Sequence, residues 1–263
     1  MSFIPKSFKN AIVSIGIVNQ GQTIWIGTGF FVGKKVGENE FEVYLVSNKH
    51  VLNKANDYKI RMIDKDTGLV KEYDLPLHKN RSNYLLSNDD LVDIGIVRMN
   101  GSFISEHIID FGLIDIDNNS LSSKEFVDQG GSSGDAIYML GYPLGLVDIE
   151  SNEPICRIGC VARMSKTEIE RNKKFLLDLQ NFPGNSGSPI FLKPEAFAIE
   201  GSKPVRRCCL IGIINSYIPY EEQLVSSQTN RIVEIRSENS GIALANPVEF
   251  IRALIDDFRA GKR

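Results

Sequence analysis

A serine set among glycines, in Pro183-Gly184-Asn185-Ser186-Gly187-Ser188-Pro189, is the stretch of this chain best suited to chemistry. A turn of that composition lifts the hydroxyl onto its crest while neighbouring backbone N–H groups converge on one point, as an acyl-transfer nucleophile requires. Ordinary loops have the same composition, so the reading depends on finding a base. The chain has 3 histidines. One of them, His50, ends an alternating apolar run over Phe41–Leu52. A carboxylate, Asp93, interrupts the apolar run Leu91–Val97. A serine attacks at neutral pH only if a base takes its proton, and a buried carboxylate fixes that base in the right tautomer.

Each residue also has a plain structural reading. His50 is also what a satisfied histidine at a strand end looks like. Asp89 and Asp90 compete with Asp93, but they lie in the polar loop Ser87–Asp90, whereas a carboxylate inside an apolar run is rarely left without a partner. His78 and His107 have no motif around them and read as surface or boundary residues.

The chain resembles the trypsin-like serine peptidases, in the bacterial HtrA-like branch of the chymotrypsin-fold superfamily. Gly27-Thr28-Gly29-Phe30-Phe31-Val32 is similar to the strand before the catalytic histidine, and Ser47-Asn48-Lys49-His50 stands where the family usually has Thr-Ala-Ala-His. Asp93-Ile94-Gly95-Ile96-Val97 resembles the catalytic Asp-Ile-Ala segment, and Gly141-Tyr142-Pro143-Leu144-Gly145 a family turn. Gly212-Ile213-Ile214-Asn215 resembles the substrate-pairing strand, and Gly241–Pro247 the run before a terminal helix. The likeness extends from Ala11 to Ile255, with the motifs in family order.

The resemblance implies roles. Ser186 is the nucleophile, His50 the general base and acid, Asp93 the residue that orients the imidazole, and the N–H groups of Gly184 and Ser186 the oxyanion hole. The primary pocket would be lined by Gln180, Asn181 and Phe182, by Asn215, Ser216 and Tyr217, and by Ala243. No carboxylate stands where trypsins select Arg or Lys, so small or medium apolar residues are the expected preference. Asn185 replaces the aspartate that pairs with a newly cut N-terminus in secreted trypsins, which argues against activation by clipping. Asn48 and Lys49 in place of two alanines leave open how tightly the region beside Asp93 is packed.

At 263 residues the chain is long enough for two small barrels sharing an interface. A formal net charge of −3, with both signs mixed along the sequence, gives no support for nucleic-acid or anionic-membrane binding. The apolar Ala11–Val18 after Lys6 and Lys9 lacks the length and cleavage site of a secretion signal and reads as a first strand. No run reaches the ~20 apolar residues of a spanning helix. Of the 4 cysteines, Cys156, Cys160, Cys208 and Cys209, the adjacent two are poor partners for each other, which favours a reduced compartment, and the set matches no standard zinc motif. The expectation is a cytoplasmic protein with no metal or organic cofactor.

The fold expected is all-β, with two six-stranded antiparallel barrels of chymotrypsin/trypsin type and a C-terminal helix. Residues 1–116 would form the first barrel, carrying His50 and Asp93. Residues 117–135 would connect it to a second barrel at 136–247, carrying Ser186, and residues 248–263 would form the helix. Strands are expected at Ala11–Val18, Thr23–Val32, Phe41–Val51, Asp57–Ile63, Val70–Leu75 and Val92–Met99. The second series covers Ala136–Leu140, Pro154–Met164, Phe175–Leu179, Pro189–Leu192, Cys208–Tyr217 and Gly241–Ala245. The polar insertion Ile218–Ser240 reads as a lid, a partner-binding arm or a solvated loop. No PDZ-like module is expected after the peptidase unit.

The function expected is a serine endopeptidase acting on protein or peptide substrates through an acyl-enzyme, gated by a partner or a conformational change. Two alternatives use the same residues, a non-catalytic peptide-binding module and an esterase.

Overall fold

The computed structural model describes residues 3–38, 40–77, 82–148, 150–195 and 207–262. A one-turn helix, α1 (Lys6–Lys9), leads into β1 (Ile12–Asn19), which turns back at Gln20-Gly21 into β2 (Gln22–Lys35). Both turn residues have positive φ, the geometry that matches the twist of paired strands. The first half continues with β3 (Phe41–Ser47), α2 (Lys49–Leu52), β4 (Asp57–Ile63), β5 (Val70–Pro76) and β6 (Tyr84–Leu86). It ends with β7 (Gly95–Arg98), α3 (Gly101–His107) and β8 (Ile114–Asp115). These strands form an 8-stranded sheet in the order β5-β4-β1-β2-β3-β7-β6, with β8 parallel to β2.

The first unit therefore differs in detail from the six-stranded barrel expected. Its end strands β5 and β6 are not paired to each other among the described residues. β7 begins at Gly95 rather than Val92 and ends at Arg98, just before Asn100, whose side chain caps α3 by accepting from the N–H groups of Ser102 and Phe103. His78 lies outside the described residues.

The connection contains a short helix, α4 (Ser123–Asp128), held by a capping box between Ser122 and Glu125. The second half comprises β9 (Ala136–Gly141), β10 (Ile155–Arg163), α5 (Lys166–Asn172), β11 (Phe175–Asp178), β12 (Pro189–Leu192), β13 (Cys209–Val225) and β14 (Ile232–Pro247). Its strands close into an antiparallel barrel in the order β10-β11-β14-β13-β12-β9, the six-stranded barrel anticipated.

The terminal helix α6 (Val248–Arg259) buries Val248, Ile251, Leu254 and Ile255, the 3–4 spacing read from the sequence. Those residues belong to the core of the first half, together with Leu140, Tyr142, Phe191 and Ile213 from the second barrel. Burying four such side chains contributes on the order of 6–12 kcal/mol as an upper bound. The two halves are thus joined by a continuous apolar interface, while Ile137, Met139, Phe175, Leu177 and Ile190 fill the second barrel. The Ile218–Ser240 insertion is a strand ribbon rather than a solvated loop. It forms the outer parts of β13 and β14, paired from Pro219↔Asn239 to Val225↔Ile232 and exposed along most of its length. No helix among the described residues is long and apolar enough to cross a membrane.

Candidate active site

β3 ends at Ser47, and the chain turns at Asn48 into α2, so His50 sits on one helical turn rather than on the strand expected. The Asn48 carbonyl accepts from the N–H groups of Val51 and Leu52, whose buried side chains anchor the turn. The pairing Ser47↔Gly95 between β3 and β7 then sets Asp93 opposite His50. One carboxylate oxygen of Asp93 accepts from the His50 backbone N–H at 2.9 Å, and the other lies 2.6 Å from Nδ1. Asp89 accepts from the N–H of Leu91, and Asp90 lies against Lys49, so neither rival carboxylate takes this place.

Burial acts to raise the pKa of Asp93, but the hydrogen bonds and charge of His50, aided by Lys49, outweigh it and hold the carboxyl below its ordinary value. An ionised carboxylate only accepts. Nδ1 therefore carries the proton that Asp93 receives, which makes Nε2 the nitrogen able to accept one, on a half-exposed side chain.

The crest that carries Ser186 is shaped by two glycines at positive φ, Gly184 (+93°) and Gly187 (+89°). A Cβ on Gly184 would stand 2.4 Å from the Tyr142 carbonyl oxygen, and one on Gly187 2.1 Å from that of Thr28. Only glycine fits either place. The carbonyl of Pro183 accepts from the Leu144 N–H at 2.6 Å, and that of Asn185 from the Ser188 N–H at 2.8 Å. In a trans peptide the N–H points opposite to the C=O, and the described chain has no cis bond. The first pin thus turns the Gly184 N–H away from the turn that carries Leu144, and the second turns the Ser186 N–H away from Ser188. Among the described residues neither N–H has a hydrogen-bond partner, whereas those of Asn185, Gly187 and Ser188 are all taken.

Thr28 on β2 brings the two halves of the site together. Its N–H donates to the Ser186 carbonyl at 2.9 Å, and its carbonyl accepts from Ser47 Oγ at 2.7 Å. Its hydroxyl donates to the Gly184 carbonyl at 2.8 Å and accepts from the Tyr142 N–H at 3.1 Å. Gly27 beside it is flanked by Val51 of α2 and by the Ser186 carbonyl. Base and nucleophile are therefore carried by the same two residues of one strand. Ser186 is half-buried, and its Oγ makes no hydrogen bond among the described residues.

Residues that carry no chemistry complete the frame. Asn246 is fully buried with all its side-chain bonds made: Oδ1 accepts from the Asp93 N–H (3.2 Å) and Asn215 Nδ2 (3.0 Å), while Nδ2 donates to the carbonyls of Leu91 (3.2 Å) and Lys173 (2.7 Å). An Asn inside the apolar run Ile242–Val248 was the signal for it in the sequence. Asn48 and Lys49, the two departures from small residues, tighten the region rather than loosen it. Asn48 Nδ2 donates to the Asp93 carbonyl at 2.8 Å, and Lys49 Nζ to that of Ser87 at 3.1 Å.

The residues expected to line the pocket differ in exposure, and Tyr217 pairs directly with Ala243. Gln180 and Tyr217 are exposed, Ser216 is half-buried, and Phe182 lies under the Arg157 guanidinium at 5.2 Å. Asn181 and Asn215 are buried, and Asn215 spends its side-chain amide on Asn246. Ala243 is fully buried in the core of the second barrel.

No curated protein matches the chain significantly. The family model of the trypsin-like peptidase domain matches residues 27–196, from the strand that bears Thr28 to the strand after the crest. That match covers more than half of the chain and agrees with a closed barrel, a companion sheet and a terminal helix; the chain belongs to the trypsin-like peptidase domain family.

Proposed function

We propose that this protein is a serine endopeptidase of the HtrA-like type, cutting peptide bonds through an acyl-enzyme. One observation carries the reading: an ionised Asp93 grips His50 by both its backbone N–H and Nδ1, beside a crest whose Gly184 and Ser186 N–H groups are unclaimed. Ser186 Oγ attacks the carbonyl carbon and passes its proton to His50 Nε2. The two N–H groups receive the oxyanion, each worth about 3–4 kcal/mol in a comparable protease. Collapse expels the amine, which takes the proton back from His50, and water repeats the sequence on the ester.

The unbonded Ser186 hydroxyl supports the gating expected of a protease in a cytoplasmic setting. Substrate or an activating partner would complete the contact to His50, since catalytic hydrogen bonds often tighten only in the complex. Intact mass after exposure to a fluorophosphonate probe tests the reading, with Ser186→Ala and His50→Ala alongside. One adduct on the wild type, absent from both variants, supports an assembled triad. Peptides against small esters then separate a peptidase from an esterase, and an unlabelled wild type that binds peptide points to a non-catalytic module.

A further inference from the structure

β14 has an edge that nothing covers along its outer half. Toward the barrel it pairs with β11 from Ile242 to Ala245, and the Leu179 N–H closes that ladder on the Gly241 carbonyl at 2.9 Å. Over residues 232–240 the same edge has no partner strand among the described residues, while the opposite edge is paired with β13. That pairing is regular from Pro219↔Asn239 to Leu224↔Glu234. Neither proline nor lysine blunts the open edge between residues 232 and 240. A two-stranded ribbon exposed on both faces is marginal in water, and further strands are what complete it.

The residues along this edge alternate in a way that fits a second copy of themselves. Glu234 and Arg236 share one face, where they form an ion pair at 3.0 Å, and the exposed Ile235 points to the other. Antiparallel pairing of two copies about a two-fold axis at Ile235 sets Glu234 of each opposite Arg236 of the other, and Ile235 opposite Ile235. Four charges of alternating sign then meet on one face and two apolar side chains on the other. Arg236 already has Glu222 of β13 beside it, so it comes to lie between two strands that each offer a carboxylate.

Other registers fit less well. An axis at Glu234 or at Arg236 sets like charges against each other. One at Ser237 sets Ile235 against Asn239, whose side chain is already bonded to the Asn181 carbonyl (2.5 Å) and the Gly241 N–H (2.9 Å). One at Val233 falls where the ladder with β13 shifts register. The free edge of β13 does not compete. That strand has no basic residue, Glu221 and Glu222 are adjacent on it, and Pro219 has no N–H to give.

We propose that β14 pairs with β14 of a second copy of this chain about a two-fold axis at Ile235, joining two ribbons into one four-stranded antiparallel sheet. The tip of each ribbon, residues 226–231, then reaches the root of the other, where Asn239 holds the segment that leads to the crest. The second copy thereby stands beside the candidate active site of the first.

Sedimentation velocity on the whole chain, from about 1 to about 200 µM, should show monomer giving way to dimer. Arg236→Glu and Glu234→Arg each set like charges opposite one another twice, and each alone should weaken the dimer by about tenfold or more. Mixed in equal amounts, the two variants regain opposite charges at both positions and should sediment as a heterodimer. Both side chains are exposed, so each variant should melt near the wild type, which separates lost pairing from lost fold. Ile235→Cys should give a covalent dimer on mild oxidation, whereas Ser237→Cys, roughly 13 Å from its own copy, should not. The wild type, with Cys156 exposed, is the control for that pair.

A monomer throughout the concentration range overturns the proposal, as does a dimer that both charge reversals leave intact or that the mixture fails to rebuild. Should a charge variant fail to fold, the cysteine pair decides, and equal cross-linking at residues 235 and 237 overturns it. None of these measurements reads catalysis, so the peptidase reading stands or falls separately.

Discussion

The backbone N–H of Leu144 holds the carbonyl of Pro183 at 2.6 Å, and so fixes the peptide whose other end is the Gly184 N–H. Leu144 does this from a left-handed conformation, φ +56°, with its side chain exposed. A residue other than glycine there carries a strain of order 1–3 kcal/mol. The turn that this residue strains is the one that orients half of the candidate oxyanion site.

Leu144→Gly keeps the N–H and relieves the strain, so kcat should stay within about twofold and the melting temperature should hold or rise. Leu144→Pro removes the donor and cannot adopt the φ. It should lower kcat by about 10²-fold with a smaller change in KM, the signature of an interaction made in the transition state. Equal kcat in the two variants would show that the pin does not orient the peptide.

Thr28→Val has nearly the same shape but leaves the buried Gly184 carbonyl and Tyr142 N–H without partners. The expected cost is about 2–3 kcal/mol, seen as a fall of roughly 5–10 °C in melting temperature, with Thr28→Ser restoring most of it.

Asn246→Ala strips four bonds from the junction of the two halves, including the one to the Asp93 N–H. Urea unfolding should show a loss of about 3 kcal/mol. Because Asn246 is a positioning residue, kcat should fall further than KM rises, and the two separate in a steady-state titration.

Acid should weaken the fold through Asp93. Its carboxyl pKa lies below the ordinary value in the folded chain, so its contribution is complete above about pH 5 and is lost as the pH falls through the lower, folded value. The stability gap between wild type and Asp93→Asn should close as the pH falls below about 4. A gap that instead widens as the pH falls would reverse the sign assigned to this carboxylate.

Much of the site was legible because its signals are local. Gly184 and Gly187 flank a serine in a stretch that must turn, and Asp93 is the one carboxylate inside its apolar run. The strands Asp57–Ile63 and Pro189–Leu192 fall at the bounds read from alternation. The helices α4 and α5 were missed because they are short and largely polar. Their signals are the Ser122-x-x-Glu125 and Ser165-x-x-Glu168 spacings, which become caps in the structure. The ribbon of β13 and β14 was missed for another reason. Neither of its faces is buried, so no apolar alternation marks it, and backbone pairing alone makes it a strand pair.

The sequence by itself determined the chemical groups and the turns that expose them, because glycine content, capping residues and apolar alternation act over a few residues. Tertiary structure decided which carboxylate meets His50, how Thr28 joins base to nucleophile, and that Asn246 ties Asp93 to the second half. Those bonds link residues far apart in the sequence, Thr28 to Ser186 and Asp93 to Asn246. They form only when the buried faces of both halves dock, since a buried polar group is tolerable only where its partner arrives with it.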